Sequence, residues 1–235
     1  MIRSLITVFI ILLMTALISA INLFWPPMHS WFMIIWAQIV LKLAGVKLVV
    51  QGRDNLPLKG PGVVVINHES ALDIPMAVAG LKIPVRFMAK RALFKVPIFG
   101  WCLYLCNHIP IDRSNPKKAI AAINKTSAKI FKKGCFVIVS PEGTRSYDGK
   151  IGPFKKGAFR LADKEDIPII PVTLMGSRYC VPNKTLRIVP GEVIIDIEKP
   201  VYIHQYADIN ACILDVRSKM IKRKTLYERN RQEQV

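Results

Sequence analysis

At 235 residues the chain has room for one domain of ordinary size and an appendage. Its mean hydropathy of +0.31 is high for a soluble protein, and its net charge of +18 favours phosphate-bearing partners. The five scattered cysteines (Cys102, Cys106, Cys135, Cys180, Cys212) exclude a disulfide framework and agree with a reducing compartment.

The apolar excess is local. No Lys, Arg, Asp or Glu occurs from Ser4 to Leu41. As a helix, positions 4–25 span about 33 Å, close to the roughly 30 Å hydrocarbon core of a bilayer. Pro26-Pro27 breaks the run, and a shorter apolar stretch follows from Met28 to Ala44. Trp25, Trp31 and Trp36 fall here, as amphipathic rings do at membrane interfaces. We read residues 1–45 as a two-helix membrane anchor and 46–235 as the folded domain. A cleaved signal peptide is the competing account, but the uncharged stretch continues well past Ser19-Ala20. Whether the pair spans the bilayer or dips into one leaflet is open. Arg3, Lys42 and Lys47 favour ends on the cytoplasmic side.

Beyond the anchor, β-rich runs alternate with helical ones. Strands are expected at Val46–Gln51, Val63–Asn67, Val85–Ala89, Ile109–Asp112, Phe136–Ser140, Ile169–Leu174, Leu186–Val189 and Val193–Ile197. Helices are expected to begin near Asp73, Leu93, Pro116, Lys156 and Gln205. The last places Ile209, Ile213, Val216 and Met220 on one side. This alternation predicts an α/β fold, a mixed central β-sheet flanked by helices.

The polar residues that suit chemistry gather after the strands. Asn67-His68-Glu69-Ser70-Ala71-Leu72-Asp73 follows an apolar run. Imidazole is the side chain best suited to take a proton near neutral pH, and a carboxylate fixes its tautomer. Five positions apart, His68 and Asp73 would not share a helical face, so His68 belongs on a loop and Asp73 in the first turn of the next helix. The bland alternative is a capping box, Ser70-x-x-Asp73.

Ser140-Pro141-Glu142-Gly143-Thr144-Arg145-Ser146 follows a second strand. Gly143 permits close backbone approach, Arg145 offers a planar fork for phosphate, and Glu142 orients Arg145 or a substrate hydroxyl. A plain surface turn is the alternative. Ile111-Asp112-Arg113 adds another anion-binding candidate, with Asp112 free to pair with Arg113. Phe154-Lys155-Lys156-Gly157 is either a phosphate site at a helix start or solvated charge. Cys102, Cys106 and His108 lack a fourth zinc ligand, and buried thiols are the better reading.

Taken together these segments resemble the glycerolipid acyltransferases, the 1-acylglycerol-3-phosphate acyltransferase family, in its compact bacterial form. NHESALD is similar to the family's NHxSxxD block, and Lys90 to Arg113 to its second, which begins K-x-x-L-x-x-x-P-x-x-G and ends I-D-R. SPEGTRS is similar to FPEGTRS, and Ile167 to Val172 to the fourth block. Ser140 stands where Phe is usual and Cys106 where Gly is common. The resemblance implies acyl transfer from a thioester to the sn-2 hydroxyl of lysophosphatidic acid, giving phosphatidic acid. His68 would be the general base and Asp73 its orienter. Glu142, Gly143, Thr144, Arg145, Arg113 and Lys90 would bind substrate. It implies no metal and no cofactor, the acyl donor being acyl-CoA or acyl carrier protein. It also implies an anionic bilayer surface as partner, at the inner face of the cytoplasmic membrane.

Other readings make different demands. The same chemistry on another acceptor, such as a lyso-ornithine lipid, needs no phosphate grip. A membrane-tethered nucleic-acid-binding protein needs a stacking platform, and the basic stretch 113–133 has only Phe131 as an aromatic. A lipid hydrolase needs a Gly-x-Ser-x-Gly elbow, which does not occur.

Overall fold

The computed structural model describes residues 2–57, 60–111, 123, 126–183 and 185–233. Helix α1 (Ile2–Phe24) is followed by a Pro26–Met28 turn and α2 (His29–Ala44), which ends at Gly45 in a left-handed conformation. The domain then runs β1 (Val46–Gln51), β2 (Gly62–Ile66), α3 (Asp73–Leu81), β3 (Val85–Lys90), α4 (Phe99–Leu105), β4 (Ile109–Ile111), α5 (126–132) and β5 (Phe136–Val139). It finishes with α6 (Gly157–Lys164), β6 (Ile169–Met175), α7 (Ser177–Cys180), β7 (Gly191–Ile197) and α8 (Ile209–Gln232).

The seven strands form one sheet in the order β1-β7-β6-β2-β5-β3-β4. From β6 to β4 every neighbouring pair is parallel; β7 is antiparallel to β6, and β1 parallel to β7. The sheet is therefore mixed. All five residues of β2 and all seven of β6 are buried, which is why these strands are nearly continuous apolar runs, with Thr173 of β6 the one buried polar side chain, rather than alternating ones. One face packs on α2 and α3 through Ala37, Leu41, Met76 and Leu81, the other on α6 and α8 through Phe159, Ala162, Cys212 and Val216.

Several expected elements differ. Leu186–Val189 is not a strand: Val189 N–H returns to Cys180 O at 2.8 Å, and Ile188 exchanges its backbone bonds with Ser4 Oγ. Its alternation is that of a segment folded against α1 and α7. The helix near Leu93 is a short 3-10 turn, Arg91–Lys95, and α4 begins only after Pro97. Gly100 allows this close turn, because a Cβ there would lie 2.3 Å from the Phe94 carbonyl oxygen. The last helix starts at Ile209, not Gln205; Asp208 caps it by accepting the Ala211 N–H at 2.7 Å. The expected start at Pro116 lies outside the described residues, as do Asp112 and Arg113.

The N-terminal helices are built asymmetrically. Ser4, Ser19 and Asn22 are the buried residues of α1, while Leu5, Ile6, Phe9, Leu12, Leu13 and Leu17 are exposed. An apolar outward face and polar inward contacts reverse the usual pattern of a water-facing helix. Among the described residues, α1 is the one helix long and apolar enough to cross a membrane. By contrast, α2 buries Met33, Ala37, Val40, Leu41 and Ala44 in the same core as α3.

Candidate active site

Because β6, β2, β5, β3 and β4 run parallel, their C-terminal ends share one edge of the sheet, the edge where such folds bind ligands. The segment after β2, the segment after β5, Lys90 at the end of β3 and Ser177 after β6 all lie along it.

The turn after β2 is locked at its base by Asn67. Its side-chain amide donates to Leu174 O at 2.9 Å and accepts Leu174 N–H at 2.7 Å, so a side chain replaces a rung of the sheet. His68 follows on the loop, and Asp73 opens α3. The His68 Nδ1–H donates to Asp73 Oδ2 at 2.6 Å. The same oxygen accepts the N–H groups of Glu69 (2.8 Å) and Ser70 (2.9 Å), and Oδ1 accepts the Ser177 hydroxyl at 2.8 Å. Four donors hold one fully buried carboxylate. Its fixed geometry leaves Nε2 as the ring nitrogen not engaged by Asp73, on a side chain 19% exposed.

The capping box is not formed: α3 opens at Asp73 itself, with Leu72 at its N-cap and no side-chain cap. Asp73 accepts the Ser70 N–H but spends the same oxygen on the imidazole. Ser70 Oγ accepts Leu72 N–H at 3.2 Å and donates to Val181 O at 2.9 Å.

The loop after β5 lies against His68. Ser146 N–H donates to His68 O at 2.7 Å. Glu142 Oε1 accepts the His68 N–H at 3.0 Å, and Oε2 accepts the Gly152 N–H at 2.8 Å. Burial pushes the Glu142 carboxyl up, and these two N–H donors pull it back. Glu142 thus ties both ends of the loop after β5 to the backbone of His68, instead of bonding the Arg145 side chain. Gly143 adopts φ +79°, which favours glycine, and a Cβ there would sit 2.8 Å from the Lys155 amine. Thr144 and Arg145 are exposed, as is Lys90. Neither the Arg145 nor the Lys90 side chain bonds another described residue. Arg217 of α8 steadies the far end of the loop, donating to Gly152 O at 2.7 Å and Ile151 O at 2.8 Å.

Sequence reasoning missed three partners of the pair. Glu69 turns inward, pairs with Lys224 of α8 and lies 3.2 Å from the Ser177 hydroxyl. Lys224 had a signal: it continues the buried line Cys212, Val216, Met220 at steps of four, where a solvated lysine does not belong. Ser177 had none.

A second buried polar group lies where α1, α2 and α4 meet. The ligating atoms of His29, Cys102 and Cys106 all lie within 4.8 Å of one another. Phe87 N–H donates to His108 Nδ1 at 3.2 Å, so His108 carries its proton on Nε2 and donates to His29 Nε2 at 2.8 Å. His29 Nδ1 is 2.7 Å from the Asn22 side-chain amide. With both its nitrogens engaged, His29 would have to surrender one bond to take a metal. A cavity of about 330 Å³ lies elsewhere, beside β7 and α8, lined by Gln51, Glu192, Asp196, Arg223, Tyr227 and Arg231. His68, Asp73 and the loop after β5 do not line it.

The fold and this edge define an α/β domain with a His–Asp pair at the ends of parallel strands. The family model described as Acyltransferase matches residues 47–175, and the chain belongs to that family. It is 38% identical over 176 residues to a chloroplastic 1-acyl-sn-glycerol-3-phosphate acyltransferase of Brassica napus, covering 74% of this chain and 50% of that one. It is 32% identical over 201 residues to a 1-acyl-sn-glycerol-3-phosphate acyltransferase of Limnanthes alba, covering 82% and 71%. The chain spans about half the length of the first of these relatives. Its fold is similar to the crystal structure of the 1-acyl-sn-glycerophosphate acyltransferase of Thermotoga maritima. The TM-score is 0.79 at 26% identity, over 94% of this chain and 92% of that one.

Proposed function

We propose that this protein transfers a fatty acyl group from an acyl thioester to the sn-2 hydroxyl of lysophosphatidic acid, forming phosphatidic acid. The observation that carries the proposal is the 2.6 Å bond from His68 Nδ1 to a carboxylate already held by three other donors. A secondary alcohol is a poor nucleophile at neutral pH, so it needs a base at its proton. His68 Nε2 takes that proton as the hydroxyl oxygen attacks the thioester carbonyl carbon. The carbon–sulfur bond then breaks, and the departing thiolate takes the proton back from the imidazolium. Asp73 keeps the ring in the productive tautomer and offsets its transient charge. General-base help of this kind contributes about 10²- to 10⁴-fold.

Arg145, exposed and without a side-chain bond among the described residues, sits on the loop that lies against His68 and is the leading grip for the acceptor's phosphate. The Lys155 amine over Gly143 joins it, with Lys90 at the end of β3 on the same edge; Arg113, a further candidate from the sequence, lies outside the described residues. Gly143 and Thr144 shape the loop that presents Arg145. The thioester is an activated acyl donor, so the scheme uses no metal or further cofactor, and the carrier is coenzyme A or an acyl carrier protein.

The apolar outward face of α1, continued by exposed Trp25, Trp31, Trp101, Tyr104 and Leu105, supports attachment to the bilayer that holds both acceptor and product. We place the catalytic domain on the cytoplasmic side. The test is to incubate purified protein with lysophosphatidic acid, lyso-ornithine lipid and lysophosphatidylcholine, each with acyl-CoA and acyl carrier protein donors, under mass-spectrometric readout. Phosphatidic acid should dominate. Preferred acylation of an acceptor without a phosphomonoester would overturn the acceptor assignment.

A further inference from the structure

Asp73 does not lie alone in the core beside His68. Glu69 brings a second carboxylate into the same buried space, 1% exposed, and one hydroxyl, Ser177 Oγ, stands between them at 2.8 Å from Asp73 and 3.2 Å from Glu69. That hydroxyl has one proton to give and it faces two acceptors. Two neighbouring carboxylates removed from water repel each other unless a cation compensates. The compensation comes from the far end of the chain: Lys224, 5% exposed, pairs with the other Glu69 oxygen across 155 residues of sequence.

We propose that Lys224 is a positioning residue for the His68–Asp73 pair, supplying through Glu69 the fixed positive charge that lets two carboxylates lie together under the imidazole. The inference rests on the acyl-transfer reading only for its kinetic consequence; the electrostatic consequence belongs to the ring itself. Charge counting gives the sign. Glu69 and Lys224 cancel, so Asp73 alone faces the ring as a net charge from this group. The other charged groups packed around it are Glu142 from the loop after β5 and Arg178 of α7, the latter paired with Glu228 of α8. Removing the lysine charge adds one negative charge beneath the imidazole and makes its protonated form easier to reach. Removing the glutamate charge leaves one positive charge and does the opposite. Removing both restores the balance.

The test uses the full-length protein in detergent micelles, with Lys224→Met, Glu69→Gln and the double variant. With four histidines in the chain, the His68 ring resonance can be assigned by its loss in His68→Ala and followed by NMR through a pH titration. The proposal expects the ring midpoint to move up in Lys224→Met and down in Glu69→Gln, each by roughly one pH unit, with the double variant near wild type. The acid limb of the pH–rate profile should move with it, and Lys224→Arg should restore the wild-type midpoint. Shifts of the same sign in both single variants, or unmoved midpoints in folded protein, would overturn the proposal. Should Lys224→Met not fold, Glu69→Gln and the double variant carry the same test. Absence of turnover in wild type would instead overturn the acyl-transfer reading, leaving the NMR result to decide the role of Lys224.

Discussion

Glu142 accepts the main-chain N–H of His68, not its ring, at 3.0 Å, and with its other oxygen it accepts the N–H of Gly152 at 2.8 Å. A carboxylate in this position fixes where the imidazole starts from. An amide has only one oxygen, so Glu142→Gln must turn an NH₂ toward one of the two N–H groups. We expect kcat to fall about tenfold or more, the worth of a lost bond to a charged acceptor, with the acceptor KM little changed. A rise in KM alone would instead assign Glu142 to the phosphate grip.

Arg145→Ala should act the other way. An exposed guanidinium with no side-chain bond among the described residues has little packing role to lose. Removing a charge-assisted bond to phosphate is expected to raise the acceptor KM by roughly tenfold or more. Initial rates against lysophosphatidic acid concentration measure this directly. An unchanged KM would move the phosphate site to another cation.

Asn67→Ala tests the base of the site through stability. The variant leaves the buried N–H and C=O of Leu174 without partners, at a cost of about 1–3 kcal/mol. Denaturant unfolding of the detergent-solubilised protein should show that loss with an unchanged m-value. Unaltered stability would mean that the amide is not holding the β2 turn to β6.

The His108 ring predicts a pH dependence. Burial first, then neighbouring positive charge, holds its pKa well below the usual 6.5. As pH falls through about 6.5 the unfolded ring takes a proton that the folded ring refuses. Stability present above that pH is therefore lost below it, by up to about 1.4 kcal/mol per pH unit until the folded ring titrates. Unfolding measured between pH 8 and 5 should show this slope, and His108→Asn should lessen it. An equal slope in the variant would place the acid sensitivity elsewhere.

What the sequence made legible was local. Val63 to Ile66, Phe136 to Val139 and Ile169 to Leu174 read as strands because buried parallel strands are nearly unbroken apolar runs. His68 and Asp73 could be placed on a loop and a helix start from their spacing alone. The supports of the pair could not: Asn67 meets Leu174 across 107 residues, Ser177 meets Glu69 across 108 and Lys224 meets Glu69 across 155. No local pattern specifies which distant side chain completes a buried carboxylate's bonds. Lys224 is the instructive case, since a lysine on an apolar helical line is a contradiction that only a buried partner resolves. Leu186 to Val189 misled for the converse reason: it alternates like a strand, yet its backbone bonds go to Cys180 and Ser4.

The role of His68 Nε2 in removing the acceptor's proton is tested most directly by one comparison. Wild type and His68→Ala are incubated with lysophosphatidic acid and an acyl thioester, and phosphatidic acid is quantified by mass spectrometry alongside flotation of both proteins with anionic vesicles. Product formation should fall by about 10²- to 10⁴-fold with vesicle binding unchanged. Turnover in the variant within about tenfold of wild type would contradict that role.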